Sequence, residues 1–89
     1  MPTMSPPAAG AGLGRGQLHT VVAELVAAVL KVEVAPGDTV TATDEVVILE
    51  SMKMEIPVLA EIDGTVAEVT VAEGDVVSEG DPLVIITPA

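Results

Sequence analysis

Val32-Glu33-Val34-Ala35-Pro36-Gly37-Asp38 and Val69-Thr70-Val71-Ala72-Glu73-Gly74-Asp75 are two versions of one segment, 37 residues apart. The match extends outward without a gap: residues 23–49 align with residues 60–86, and 12 of the 27 positions are identical. Each copy opens with an alternating strand. Leu30, Val32 and Val34 are predicted to point inward, with Lys31 and Glu33 outward; in the second copy Ala67, Val69 and Val71 point inward, with Glu68 and Thr70 outward. A turn follows at Gly37-Asp38 or Gly74-Asp75, then a short strand around Val40 or Val77, then a turn at Thr43-Asp44 or Gly80-Asp81. The run Val46-Val47-Ile48-Leu49, or Leu83-Val84-Ile85-Ile86, closes the unit, and its continuity predicts burial on both faces. Two copies are too few for an open solenoid. They predict an all-β fold closed on itself: a flattened barrel or sandwich of two antiparallel four-stranded sheets with pseudo-twofold symmetry.

Composition agrees with that reading. The 89 residues suffice for one domain. Trp, Tyr and Phe are absent, so the core must be aliphatic, and Val, with 16 copies, dominates it. Val is β-branched, which favours a pleated sheet over a helix. Pro57 and Pro82 are predicted at a strand edge and a strand start, where no ladder donor is needed. Residues 1–18, rich in Pro, Ala and Gly, bury too little apolar surface to offset ordering entropy and are read as a flexible leader. Residues 19–89 form the domain.

Several function classes are disfavoured. A formal charge of −11 repels nucleic acid and anionic membranes, and it suits a partner with a basic or neutral face. With no Cys, neither thiol chemistry nor a Cys-based zinc site is available. No apolar run approaches a membrane span and no secretory signal is visible, so a cytoplasmic location is expected. His19 is the one histidine and has no Ser/Asp constellation around it. Asp38, Asp44, Asp75 and Asp81 recur with the repeat, which predicts side-chain bonds to nearby backbone N–H groups; calcium at these turns is the alternative. No Gly-rich loop precedes a helix, so no phosphate cradle is read. Catalytic residues and metal ligands are not assigned.

One segment lies between the copies: Glu50-Ser51-Met52-Lys53-Met54-Glu55-Ile56-Pro57-Val58-Leu59. It joins the last strand of copy one to the first of copy two, so residues 46–50 and 55–59 are predicted to pair as a hairpin with its tip near Met52-Lys53-Met54. The tip lacks Gly, Asn and Pro and sets two thioethers beside one lysine. Met suits surfaces that meet partners; Met52 and Met54 could equally fold back to cap the barrel. Lys53 read alone is a solvated surface charge.

Glu50-Ser51-Met52-Lys53-Met54 resembles the attachment motif of the biotinyl domain family, usually Ala-Met-Lys-Met preceded by Glu. The resemblance covers residues 20–87, because that family joins two pseudo-symmetric halves through the hairpin carrying the modified lysine. It is strongest toward small stand-alone biotinylated proteins, which share the Glu-Ser-Met and Met-Glu-Ile-Pro-Val flanks. Ser51 replaces the commoner Ala, Ala27-Ala28 stand where the second copy has Gly64-Thr65, and Thr43 replaces a usual Gly. The ungapped repeat leaves no room for the thumb insertion of some bacterial carriers.

The resemblance implies a non-catalytic carrier. Biotin would be held covalently on Lys53, with Met52 and Met54 flanking it and Glu50 and Ser51 as further contacts for a biotin protein ligase. In such families the ligase forms biotinyl-AMP, whose carbonyl the lysine amine attacks. A lysine in water is largely protonated at neutral pH, so the ligase must supply deprotonation and positioning. Biotin then carries a carboxyl group from a biotin carboxylase to a carboxyltransferase, often for an acyl-CoA, the carrier raising effective concentration by tethering. The isolated domain is expected to be a monomer. A lipoyl carrier, usually with Asp-Lys-Ala at the tip, and an unmodified interaction module are the competing readings.

Overall fold

The structure is a computed structural model describing residues 17–89. Most of the expected leader, residues 1–16, lies outside the described residues. Eight strands follow: β1 (His19–Val22), β2 (Ala27–Val32), β3 (Thr39–Val40), β4 (Glu45–Ser51), β5 (Met54–Leu59), β6 (Gly64–Val69), β7 (Val76–Val77) and β8 (Pro82–Pro88). They form two antiparallel four-stranded sheets, ordered β1-β8-β6-β3 and β5-β4-β2-β7. A shift of 37 residues carries β1, β2, β3 and β4 onto β5, β6, β7 and β8, and so carries one sheet onto the other.

The copies are interwoven rather than side by side, since each sheet takes two strands from each copy. Backbone bonds lock the exchange reciprocally. Gly37 N–H donates to Val66 C=O at 2.8 Å, and Gly74 N–H to Val29 C=O at 2.8 Å. Ala23 N–H reaches Asp81 C=O, and Ala60 N–H reaches Asp44 C=O, each at 2.9 Å. Each half thus relies on the other to satisfy part of its backbone.

The core is aliphatic, with Leu49, Leu83 and Ile86 its largest fully buried side chains, packed among Val21, Val46, Val47, Val66 and Val84. Val46 and Val47 are adjacent yet both buried, as are Leu83 and Val84. A register shift lies at each place, between Glu45 and Val47 in one copy and opposite Val21/Val22 in the other, and turns neighbouring residues toward the interior. Pro57 sits on edge strand β5 and Pro82 begins β8, as expected.

The inward assignment of Leu30 and Ala67 is corrected. Leu30 is 40% exposed, and Ala67 is exposed too. A β-bulge falls between Val29 and Lys31 and again between Val66 and Glu68. The extra residue resets the alternation, so Ala27 and Val29 face the core before the bulge while Val32 and Val34 pack against it afterwards.

The recurring aspartates make the turns. Asp38, Asp44, Asp75 and Asp81 each accept from the backbone N–H three residues earlier, at 2.8–2.9 Å, and each returns its own N–H to that residue's C=O at 3.0–3.1 Å. Gly80, at φ +91, allows a type II turn before Asp81. Its equivalent Thr43 keeps a negative φ, so the Thr41–Asp44 turn closes in the type I form that a β-branched residue accepts. The departure from Gly at Thr43 thus changes the turn type without breaking the turn.

Candidate functional site

The hairpin between the copies is formed by β4 and β5, in register from Ile48↔Pro57 through Leu49↔Ile56 and Glu50↔Glu55 to Ser51↔Met54. Leu49 is fully buried and Ile56 packs against the core, which fixes the base of the hairpin. That pairing leaves Met52 and Lys53 as a two-residue loop. Their φ values are +54° and +65°. Positive φ at both positions is the type I′ signature, whose twist matches the flanking strands and which normally calls for Asn-Gly. Here neither residue suits the conformation. A left-handed L-residue costs roughly 1–2 kcal/mol, so the tip retains Met and Lys against the preference of its own turn. Such local strain is characteristic of functional positions.

The turn throws its side chains outward. Met52 is 87% and Met54 58% exposed, which settles the alternative that they cap the barrel. Lys53 is exposed, and among the described residues its ammonium makes no ion pair or side-chain hydrogen bond. Lys31 differs: it lies on the outer face beside Glu33, 3.9 Å away. Ser51 is half-buried at the end of β4, where its small side chain leaves the turn undisturbed. Glu50 lies in the cross-strand pair directly below and is exposed. The structure adds Glu55, which sequence reasoning missed. It sits directly opposite Glu50, a like-charge pairing that sheets disfavour. Counting outward from a two-residue tip would have revealed it.

His19 stands apart, its Nε2 2.8 Å from Glu61 Oε1, joining β1 to the loop after β5. Among the described residues no group of three or more His, Cys, Asp or Glu is arranged to hold a metal ion.

Two interwoven repeats presenting an exposed lysine on a strained hairpin define a swinging-arm carrier domain. The residues fit a covalently attached acyl group: an exposed amine on a rigid base, with no carboxylate among the described residues competing for it and apolar thioethers on either side. A family model described as "Biotin-requiring enzyme", of the biotin/lipoyl class, matches residues 16–86. The chain belongs to this family. Its cofactor is covalently bound biotin, and by family its role is that of a carrier rather than a catalyst. It is similar to the biotinylated protein TB7.3 of Mycobacterium tuberculosis, at 64% identity over 39 residues, 44% of this chain and 55% of that relative. The match therefore spans about half the relative's length. Among solved structures, a single-chain, multi-domain long-chain acyl-CoA carboxylase shares 32% identity at a TM-score of 0.75, covering 81% of this chain and 7% of that one. The lipoyl domain of the 2-oxoglutarate dehydrogenase complex from Azotobacter vinelandii shares 28% identity at a TM-score of 0.64, covering 78% and 98%.

Proposed function

We propose that Lys53 is the biotinylated residue and that the protein serves as a biotin carboxyl carrier in an acyl-CoA carboxylase system of the cytoplasm, acting as a monomer. The observation that carries this reading is the placement of Lys53 in a left-handed two-residue turn, exposed and without a side-chain partner among the described residues. The amine attacks the activated carbonyl of biotin presented by a biotin protein ligase. A C–N bond forms, the C–O bond to AMP breaks, and the ligase takes the proton. The chain's own contribution is steric and geometric. β4 and β5 hold the hairpin rigid, the turn keeps Nζ clear of the surface, and Met52, Met54, Glu50 and Ser51 form what the ligase reads. Biotin, once attached, would supply a ureido nitrogen able to carry a carboxyl group, which a biotin carboxylase would draw from bicarbonate with ATP cleaved to ADP and phosphate, and which a carboxyltransferase would pass to its acceptor.

A likeness to a lipoyl domain means that the fold alone does not select the cofactor. The Met residues on both sides of Lys53 favour biotin. Intact mass after co-expression with a biotin protein ligase tests the reading: one biotinyl group per chain and avidin capture for the wild type, none for Lys53→Arg. A lipoyl mass increment, or full modification of Lys53→Arg, would refute it.

A further inference from the structure

The repeat supplies an internal control for the surface around Lys53. The positions on the strands beside the hairpin have equivalents 37 residues away, at the other end of the domain, on the same kind of strand. On the outer face of the lysine-bearing sheet, Val76 pairs with Ala28 and Ala28 with Glu50. The equivalent row on the other sheet is Thr39, Thr65 and Thr87. Leu30, held outward by its bulge, corresponds to Ala67, and Val26 corresponds to Asp63. At the lysine end these side chains are apolar and in water: Val76 is 74% exposed, Val26 65% and Leu30 40%. At the three equivalent positions the far end carries Thr39, Asp63 and Ala67, although Leu18 is also exposed there. The barrel therefore does not require this apolar strip.

The strip is continuous with the hairpin. Ala28, at its centre, pairs directly with Glu50, three residues before Lys53. Along its border Glu50 and Glu55 hold like charges opposite each other, an arrangement that a cation on a partner would relieve. A specific interface covers roughly 800 Å² on each partner, more than a three-residue tip supplies. An enzyme that binds Lys53 must therefore also rest on surface beside it.

We infer that this outer face, formed by Val26, Ala28, Leu30 and Val76 with Glu50 and Glu55 at its edge, is the docking surface for the enzyme that biotinylates Lys53. The matching face of that enzyme has an apolar centre and a lysine or arginine opposite the two carboxylates. This rests on the reading of Lys53 as the biotin site.

The test replaces each apolar residue by its own repeat equivalent, Val26→Asp/Ala28→Thr/Leu30→Ala/Val76→Thr, in the full chain. Biotinylation by purified biotin protein ligase with ATP and biotin is followed against wild type and against a far-end control, Thr39→Val/Ala67→Leu. The near-end variant should lose about 30-fold in kcat/KM, mainly through KM, equivalent to about 2 kcal/mol at 1.4 kcal/mol per decade. The control should match wild type. Should the fourfold variant fail to fold by circular dichroism, Val76→Arg serves in its place, since that edge position is open and an added cation should repel the partner's. Added salt should slow the wild type, and Glu50→Gln/Glu55→Gln should flatten that dependence. If wild type is modified and the near-end variant keeps its rate, the docking surface is wrong while the attachment site stands. The docking surface is equally wrong if only the later carboxylation step slows. If wild type itself is unmodified, the attachment site fails first.

Discussion

Replacing Met52-Lys53 by Asn-Gly should stabilise this domain while abolishing its carrier role. Both residues are left-handed, at φ +54° and +65°. At roughly 1–2 kcal/mol per L-residue, the turn stores about 2–4 kcal/mol of unfavourable conformation. Glycine removes its share, and asparagine removes part of the other. Against this, glycine raises the entropy of the unfolded chain by up to about 1 kcal/mol. Little packing is lost, because Met52 is 87% exposed and Lys53 has no side-chain partner among the described residues. The net gain is about 1 kcal/mol, which in a domain of this size raises Tm by about 4–8 °C. The chain has no Trp, Tyr or Phe, so the melt must be followed by far-ultraviolet circular dichroism or calorimetry. An unchanged or lowered Tm would mean that the tip is not strained, and the claim that its residues are kept for chemistry would fall.

Other expectations concern the frame that holds the hairpin. Gly64→Ala places a Cβ 2.2 Å from the Thr87 carbonyl oxygen and 2.8 Å from Ile86 Cγ2, so backbone must move; a loss of about 3 kcal/mol is expected in the thermal melt. The equivalent Ala27 is already alanine and 5% exposed, and Ala27→Gly should cost only about 1 kcal/mol, mostly backbone entropy. Asp44→Ala and Asp81→Ala each remove a side-chain bond closing a turn, and each should lower stability by about 1 kcal/mol in urea titration with an unchanged m-value. Lys31→Gln should leave biotinylation untouched, as checked by avidin capture, because that ammonium lies on the sheet face rather than at the turn.

Much of this was legible in the sequence because a repeat is insensitive to local error. The ungapped match over residues 23–49 and 60–86 fixed strand number, pairing sense and the special status of the segment between. The recurring aspartates announced their turns for the same reason. What escaped was chemistry that leaves no mark on a hydrophobic pattern. The bulges at Leu30 and Ala67 each add one residue that period-two counting places on the wrong face. The exchange of strands between copies is invisible because both copies share one pattern. The left-handed turn at Met52 and Lys53 was obscured because neither residue prefers it. Glu55 emerged only once register was known.

Digestion with a protease that cleaves after lysine tests the attachment site most directly. The chain has two lysines, Lys31 and Lys53, so the unmodified protein yields fragments 32–53 and 54–89. After co-expression with the ligase, Lys53 should resist cleavage, and mass spectrometry should find residues 32–89 as one fragment carrying a single biotinyl group. Biotin recovered on fragment 1–53, with Lys31 uncleaved, or cleavage at Lys53 in avidin-captured protein, would contradict the account.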